Sequence, residues 1–161
     1  MVQFTPGQLR SAASISAETY RHWKKALAPL RRERRHSPCY TSGDLVAIAV
    51  VRVLCLNLGI RVGILTPIAN VLFDVCNASP WAVLERGKLI IDISHGQIQF
   101  QSDQSNILAE AALVVVPLQL IVTQLRDQLL AVSESSNQQE LRFPPTPLAP
   151  QTMPATRRGR T

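Results

Sequence analysis

Residues 4–27 read FTPGQLRSAASISAETYRHWKKAL, and two helix starts follow each other closely within them. Thr5 stands directly before Pro6 and three positions before Gln8. That is a capping box with proline at the first helical position, where its missing N–H costs nothing. It predicts a short helix over residues 6–13. Ser16 then offers a second N-cap, with Glu18 placed where an acid complements the positive helix end. This helix is expected over residues 16–26. Only Ser14, Ile15 and Ser16 lie between the two, so the pair reads as a helix-turn-helix. Leu9, Ala12, Ala13 and Ile15 supply its small apolar core. On the second helix Arg21, Lys24 and Lys25 occupy neighbouring faces, and Tyr20 and Trp23 follow at i and i+3.

The loop over residues 27–40 comes next, and Pro29 and Pro38 exclude a continuous helix through it. It holds Arg31, Arg32, Arg34, Arg35 and His36. From Arg21 to Arg35 there are seven Lys or Arg against one acid, Glu33, an excess equal to the net charge of +6 for the whole chain. Basic charge this concentrated beside a helix-turn-helix is the footprint of a polyanion-binding surface, although a merely solvated charged loop or a membrane-surface patch has the same composition. A third capping signal, Thr41-Ser42-Gly43-Asp44, opens a long apolar helix over residues 42–58 that Gly59 ends. A fourth helix is expected over residues 62–76, with Pro67 near its start or kinking it.

Taken in order, FTPGQLRSAASISAETYRHWKKAL, CYTSGDLVAIAVVRVL and LGIRVGILTPIANVL resemble the winged-helix DNA-binding domain of the MerR family of bacterial transcription regulators. The likeness spans residues 4–76. Thr19, Arg21 and Trp23 match the Thr-x-Arg-x-aromatic core of the family's second helix. Tyr40, Thr41 and Asp44 match the Tyr, capping residue and acid that close the wing, and Gly59-Ile60 matches the step between the last two helices. Ser37 and Pro38 stand where the family usually carries Tyr-Arg, and no long dimerising helix is evident between Asn77 and Asn106. The resemblance implies that the second helix enters the major groove of double-stranded DNA and that the basic loop lies on phosphates as a wing. The implied DNA-binding residues are Ser16, Thr19, Tyr20, Arg21, Trp23, Lys24 and Lys25 on the helix. From the wing they are Arg31, Arg32, Arg34, Arg35, His36 and Tyr40. It further implies a homodimer on two half-sites, working on the bacterial nucleoid.

The second half changes character. Ser79-Pro80 starts a helical turn that ends near Gly87. Residues 88–93 and 97–101 read as two strands around Ser94-His95-Gly96, a hairpin in which Gly96 takes positive φ. Residues 112–116 form a third strand, and residues 118–132 a helix whose stripe is Ile121, Val122, Leu125, Leu129 and Val132. A sheet this small cannot bury both faces alone. It must pack on the fourth helix or pair with a second copy, and a dimer through this region is expected. From Ser133 the composition turns to Ser and Gln, then five prolines and Arg157-Arg158-Gly159-Arg160, which is that of a disordered tail.

The expected fold is therefore mainly α with a small α+β C-terminal part. A winged helix-turn-helix occupies residues 1–76, a small α+β dimerisation or regulatory region residues 77–132, and the tail residues 133–161. Cys39, Cys55 and Cys76 have neither metal-ligand spacing nor the even count of a disulfide framework, so no metal is expected. The chain lacks a charged-then-apolar leader, and its longest apolar run, residues 107–122, is broken by Glu110, Pro117 and Gln119. The cytoplasm, with no membrane partner, is the expected compartment. There is no phosphate loop, nucleophile elbow or carboxylate pair, and Asp92 with His95 reads as a turn. No catalytic residue, cofactor or recognisable effector signature is expected. Two function classes remain, a sequence-specific DNA-binding regulator and a non-enzymatic architectural or adaptor protein that binds nucleic acid nonspecifically or recruits a partner.

Overall fold

Thr5 caps α1 (Pro6–Ala12) in both directions: its hydroxyl accepts from the Gln8 N–H at 3.2 Å, and Gln8 Oε1 accepts from the Thr5 N–H at 2.9 Å. The structure, a computed structural model, describes residues 3–31, 38–102 and 112–137, the last six as backbone alone. Ser14, at φ 51°, turns the chain within the left-handed region. α2 (Ala17–Ala26) then starts at Ser16, whose Oγ accepts from the Thr19 N–H at 3.0 Å. A single 3₁₀ turn, Ala28–Arg31, follows and buries Leu30 completely. Tyr40 returns beside the chain start, where the Phe4 N–H donates to its carbonyl at 2.7 Å and its own N–H donates to that of Phe4 at 3.1 Å. Between these points, residues 32–37 lie outside the described residues.

α3 (Ser42–Arg52) is apolar around most of its circumference, as a helix in the middle of a core must be, and Leu45, Val46, Ala47, Ile48 and Val50 are fully buried. Each large side chain among them contributes roughly 1.5–3 kcal/mol by leaving water. The helix runs on through a π turn, Val53–Asn57, and Gly59 ends it at φ +69°, as the sequence predicts. Its N-terminus is pinned by a buried carboxylate. Asp44 accepts from the Thr41 N–H and from Asn77 Nδ2, both at 2.9 Å, and the indole of Trp81 donates to the Ser42 carbonyl at 2.9 Å.

The helix expected over residues 62–76 is divided by Pro67, which has no N–H to donate and whose ring crowds the preceding turn. The pieces are α4 (Val62–Leu65), a 3₁₀ turn Thr66–Ile68, and α5 (Ala69–Asn77). After α6 (Trp81–Leu84) the chain forms β1 (Gly87–Asp92), β2 (Gln97–Ser102) and β3 (Val114–Pro117). The sheet is antiparallel in the order β2-β1-β3, with Ile91 opposite Ile98 and Leu89 opposite Val116. Gly96 makes the hairpin turn at φ +68°.

α7 (Gln119–Asn137) continues past Ser133, where a change of character is expected from composition. The polar residues there include no Gly or Pro to stop a helix, and the first proline is Pro144. The proline-rich stretch itself lies outside the described residues.

The fold is thus mainly α with a small antiparallel sheet. The inner sheet face, Leu89, Ile91, Ile98 and Val116, is buried, and β2 packs on α5 while α7 packs on α1 and α3. Of the two ways to cover that face, the chain uses its own helices. An uncovered sheet is therefore no reason to expect a second copy.

Candidate nucleic-acid interface

α2 is amphipathic, and its two aromatic residues fix how it is rotated about its axis. Tyr20 and Trp23 are only 5% and 3% exposed, while Glu18, Arg21, His22 and Lys25 all face solvent. Tyr20, Trp23 and Leu27 fall at helical spacing on the inward face, so the cations between them must point out. Tyr20 and Trp23 are consequently core residues, not groups that meet bases. Tyr40 is a third correction: it is fully buried, and its hydroxyl donates to the Leu30 carbonyl at 2.9 Å. Tyr20 lies against it, hydroxyl to hydroxyl at 2.6 Å. Burial, reinforced by that hydrogen bond, pushes the Tyr20 hydroxyl far above its ordinary range, so it stays protonated.

Ser16 and Thr19 lie at the N-terminal end of α2 with their hydroxyls 2.8 Å apart. Ser16 is exposed and Thr19 and Lys24 half-buried. Arg31 does not extend away as a wing residue. Its Nε donates to the Lys24 carbonyl at 3.2 Å and its guanidinium also donates to the Lys25 carbonyl. It therefore caps the C-terminus of α2, where carbonyls lack helical partners and a cation is favoured. Arg32, Arg34, Arg35 and His36 lie outside the described residues.

Two exposed residues belong to this surface although no motif in the sequence marks them. His22 shares the outer face with Arg21 and Lys25, and helical spacing from Glu18 would have found it. Arg61 is exposed at the start of α4, which packs against α2, and no local pattern announces that proximity. Arg21 and Lys25 can reach phosphate oxygens, and an Arg in the major groove can also bind the O6 and N7 edge of guanine.

Burial, with the nearby Asp44 carboxylate adding to it, pushes the Cys76 thiol up to about 12, and burial raises Cys55 as well. Neither is a thiolate at neutral pH. Both Asp92 oxygens are taken up in the hairpin turn, one by the His95 N–H at 3.0 Å and the other by His95 Nδ1 at 2.7 Å. Among the described residues no group of His, Cys, Asp and Glu is arranged to hold a metal ion, and no helix is long and apolar enough to cross a membrane. No family model, curated protein or solved structure matches the chain.

Proposed function

We propose that the chain is a sequence-specific DNA-binding transcriptional regulator, with α2 in the major groove and the basic loop over residues 29–40 along the phosphate backbone. The observation that carries this reading is the locked rotation of α2. Two buried aromatics hold Arg21, His22 and Lys25 outward on a short, capped helix. Local charge supports the same reading, since residues 21–35 hold an excess of cations equal to the chain's net +6. The reading assigns no catalysis and no cofactor, and puts the chain on the bacterial nucleoid in the cytoplasm, as the resemblance to MerR-type regulators implies.

A regulator with one helix-turn-helix has a small footprint, and a homodimer reads two half-sites about one helical turn apart. Leu120 and Leu130 on α7 are 71% and 59% exposed and support pairing through that helix. Sedimentation at micromolar concentration tests the dimer; a monomer there removes it.

Selection of bound fragments from random duplex DNA, followed by competition, tests the function. A regulator discriminates by about 1–3 kcal/mol per mismatched base pair. Equal affinity for every duplex would favour the nonspecific architectural reading instead, and absence of DNA binding would end both.

A further inference from the structure

The strand order β2-β1-β3 leaves β3 at an edge of the sheet, with β1 on one side and no described strand on the other. The register settles which backbone groups that edge presents. The Leu118 N–H donates to the Gly87 carbonyl at 3.0 Å, while Val116 stands opposite Leu89 and Val114 opposite Ile91. Hydrogen-bonded pairs alternate along an antiparallel ladder, so Val114, Val116 and Leu118 turn their N–H and carbonyl groups toward β1. Val115 and Pro117 turn theirs away from it. Among the described residues no backbone hydrogen bond outside the ladder reaches either of them.

An open edge strand is a template for another strand, and single-chain proteins protect it with charge, a bulge or a cover. β3 carries only Pro117, which removes one N–H from the outward row at its end. The rest of the strand is valine, and Val115 is 42% exposed on the outer sheet face. Charge points to what can approach. Residues 111–122, AALVVVPLQLIV, hold no charged side chain, although the chain as a whole carries +6. Two copies of so basic a chain repel each other, and a neutral run is where they meet with least opposition. Leu120, exposed in the first turn of α7, continues the neutral apolar surface past the end of the strand.

We propose that two copies of the chain pair antiparallel through β3, about a two-fold axis at Val115, so that one sheet runs across the dimer. This contact rests on the homodimer proposed above and places it on a named strand. Val115 of each copy exchanges N–H and carbonyl bonds with Val115 of the other, and the Leu113 N–H of each comes opposite the Pro117 carbonyl of the other. Pro117 selects this register. Pairing Pro117 with Val115 would leave the Val115 carbonyl without a donor, whereas centring on Val115 moves the missing N–H to the end of the ribbon. The two Val115 side chains then touch on the outer face as a β-branched cross-strand pair. Such a contact uses the same patch on both copies and closes at two.

The test uses the full chain without DNA, followed by sedimentation and by amide hydrogen exchange from low to high micromolar concentration. A dimer is expected, and the Val115 amide should exchange at least about tenfold more slowly as it forms. The Val114 and Val116 amides, bonded to β1, stay protected throughout. Val115→Lys sets like charges opposite each other and should raise the dissociation constant about tenfold or more. The new side chain lies on the outer face and does not enter the core, and exchange in the parent chain carries the test if the variant unfolds. A dimer whose Val115 amide stays fast pairs elsewhere, as through α7 alone, and overturns the β3 contact while leaving the homodimer. A monomer removes both. Open filaments, or a dimer undiminished by Val115→Lys, would also overturn the contact.

Discussion

The hydroxyl of Tyr20 lies 2.6 Å from that of Tyr40, and Tyr40 donates its one proton to the Leu30 carbonyl at 2.9 Å. Tyr20 must therefore be the donor between the two. The relay Tyr20 to Tyr40 to Leu30 fastens the outward-facing helix α2 to both ends of the basic loop. Tyr40→Phe takes the acceptor from Tyr20 and the donor from Leu30, and it should cost about 1–3 kcal/mol. Tyr20→Phe leaves the Tyr40–Leu30 bond in place and should cost less, about 1 kcal/mol. Urea midpoints of the two variants check the order; a larger loss for Tyr20→Phe would contradict the proton assignment.

Gly43 sits where α3 meets α5. A Cβ there would lie 2.7 Å from the Asn77 Cα, too close for any side-chain adjustment to relieve. Gly43→Ala should destabilise by about 1–3 kcal/mol, the usual cost of overpacking. Adding Asn77→Ala should not restore stability, because the obstruction is backbone. Gly59 is the contrasting case, with open space around it and φ +69°. Gly59→Ala should lose about 1–2 kcal/mol through conformation alone. Thermal unfolding checks both; rescue of Gly43→Ala by the Asn77 change would show that the helices are not in contact as described.

Two half-buried carboxylates, Asp92 and Glu85, set an acid dependence. The His95 N–H, and then its ring, hold Asp92 below its ordinary 3.8, and Arg126 holds Glu85 below its ordinary 4.5. A depressed carboxylate stabilises the folded state fully above its ordinary value, and the contribution is lost as pH falls through the lower folded value. The double variant Asp92→Asn, Glu85→Gln should be less stable than the parent at neutral pH, and the gap should close as the solution is acidified below pH 3.8. Their partners His95 and Arg126 face solvent, so the gap is small and shrinks in salt. Urea unfolding across pH measures it; a gap independent of pH would mean these ion pairs do not act.

Much of the fold is written in local signals. Thr5, Ser16 and Thr41 start helices where their caps say they should, Gly59 and Gly96 turn where positive φ is needed, and Pro67 breaks the fourth helix. What the sequence hides is tertiary. Tyr20 and Trp23 sit among cations on a short helix, and the inward face becomes plain only when Leu27 is counted with them. Arg31 reads as one of four like charges until the 3₁₀ turn folds it back onto α2. The packing of α7 on α1 and α3 joins helices more than 60 residues apart in the sequence. Nothing local announces such a crossing.

The arginines near α2 should separate into three kinds in one binding experiment. Removing a cation from one phosphate lowers the slope of log K against log salt by about 0.9. Arg31→Gln removes the cap on α2 and should reduce stability while leaving that slope nearly unchanged, because its guanidinium already serves the Lys24 and Lys25 carbonyls. Replacing Arg32, Arg34 and Arg35 together with Gln should lower the slope by roughly 2–3 and weaken binding to all sequences about equally, as expected of side chains that meet only the DNA backbone. Arg21→Ala should instead cost about 1–3 kcal/mol on the selected sequence and relax the preference at one base position. An Arg21 variant with normal affinity would remove α2 from the groove. A triple Gln variant whose weakening is confined to the preferred sequence would move those arginines from phosphates to base edges.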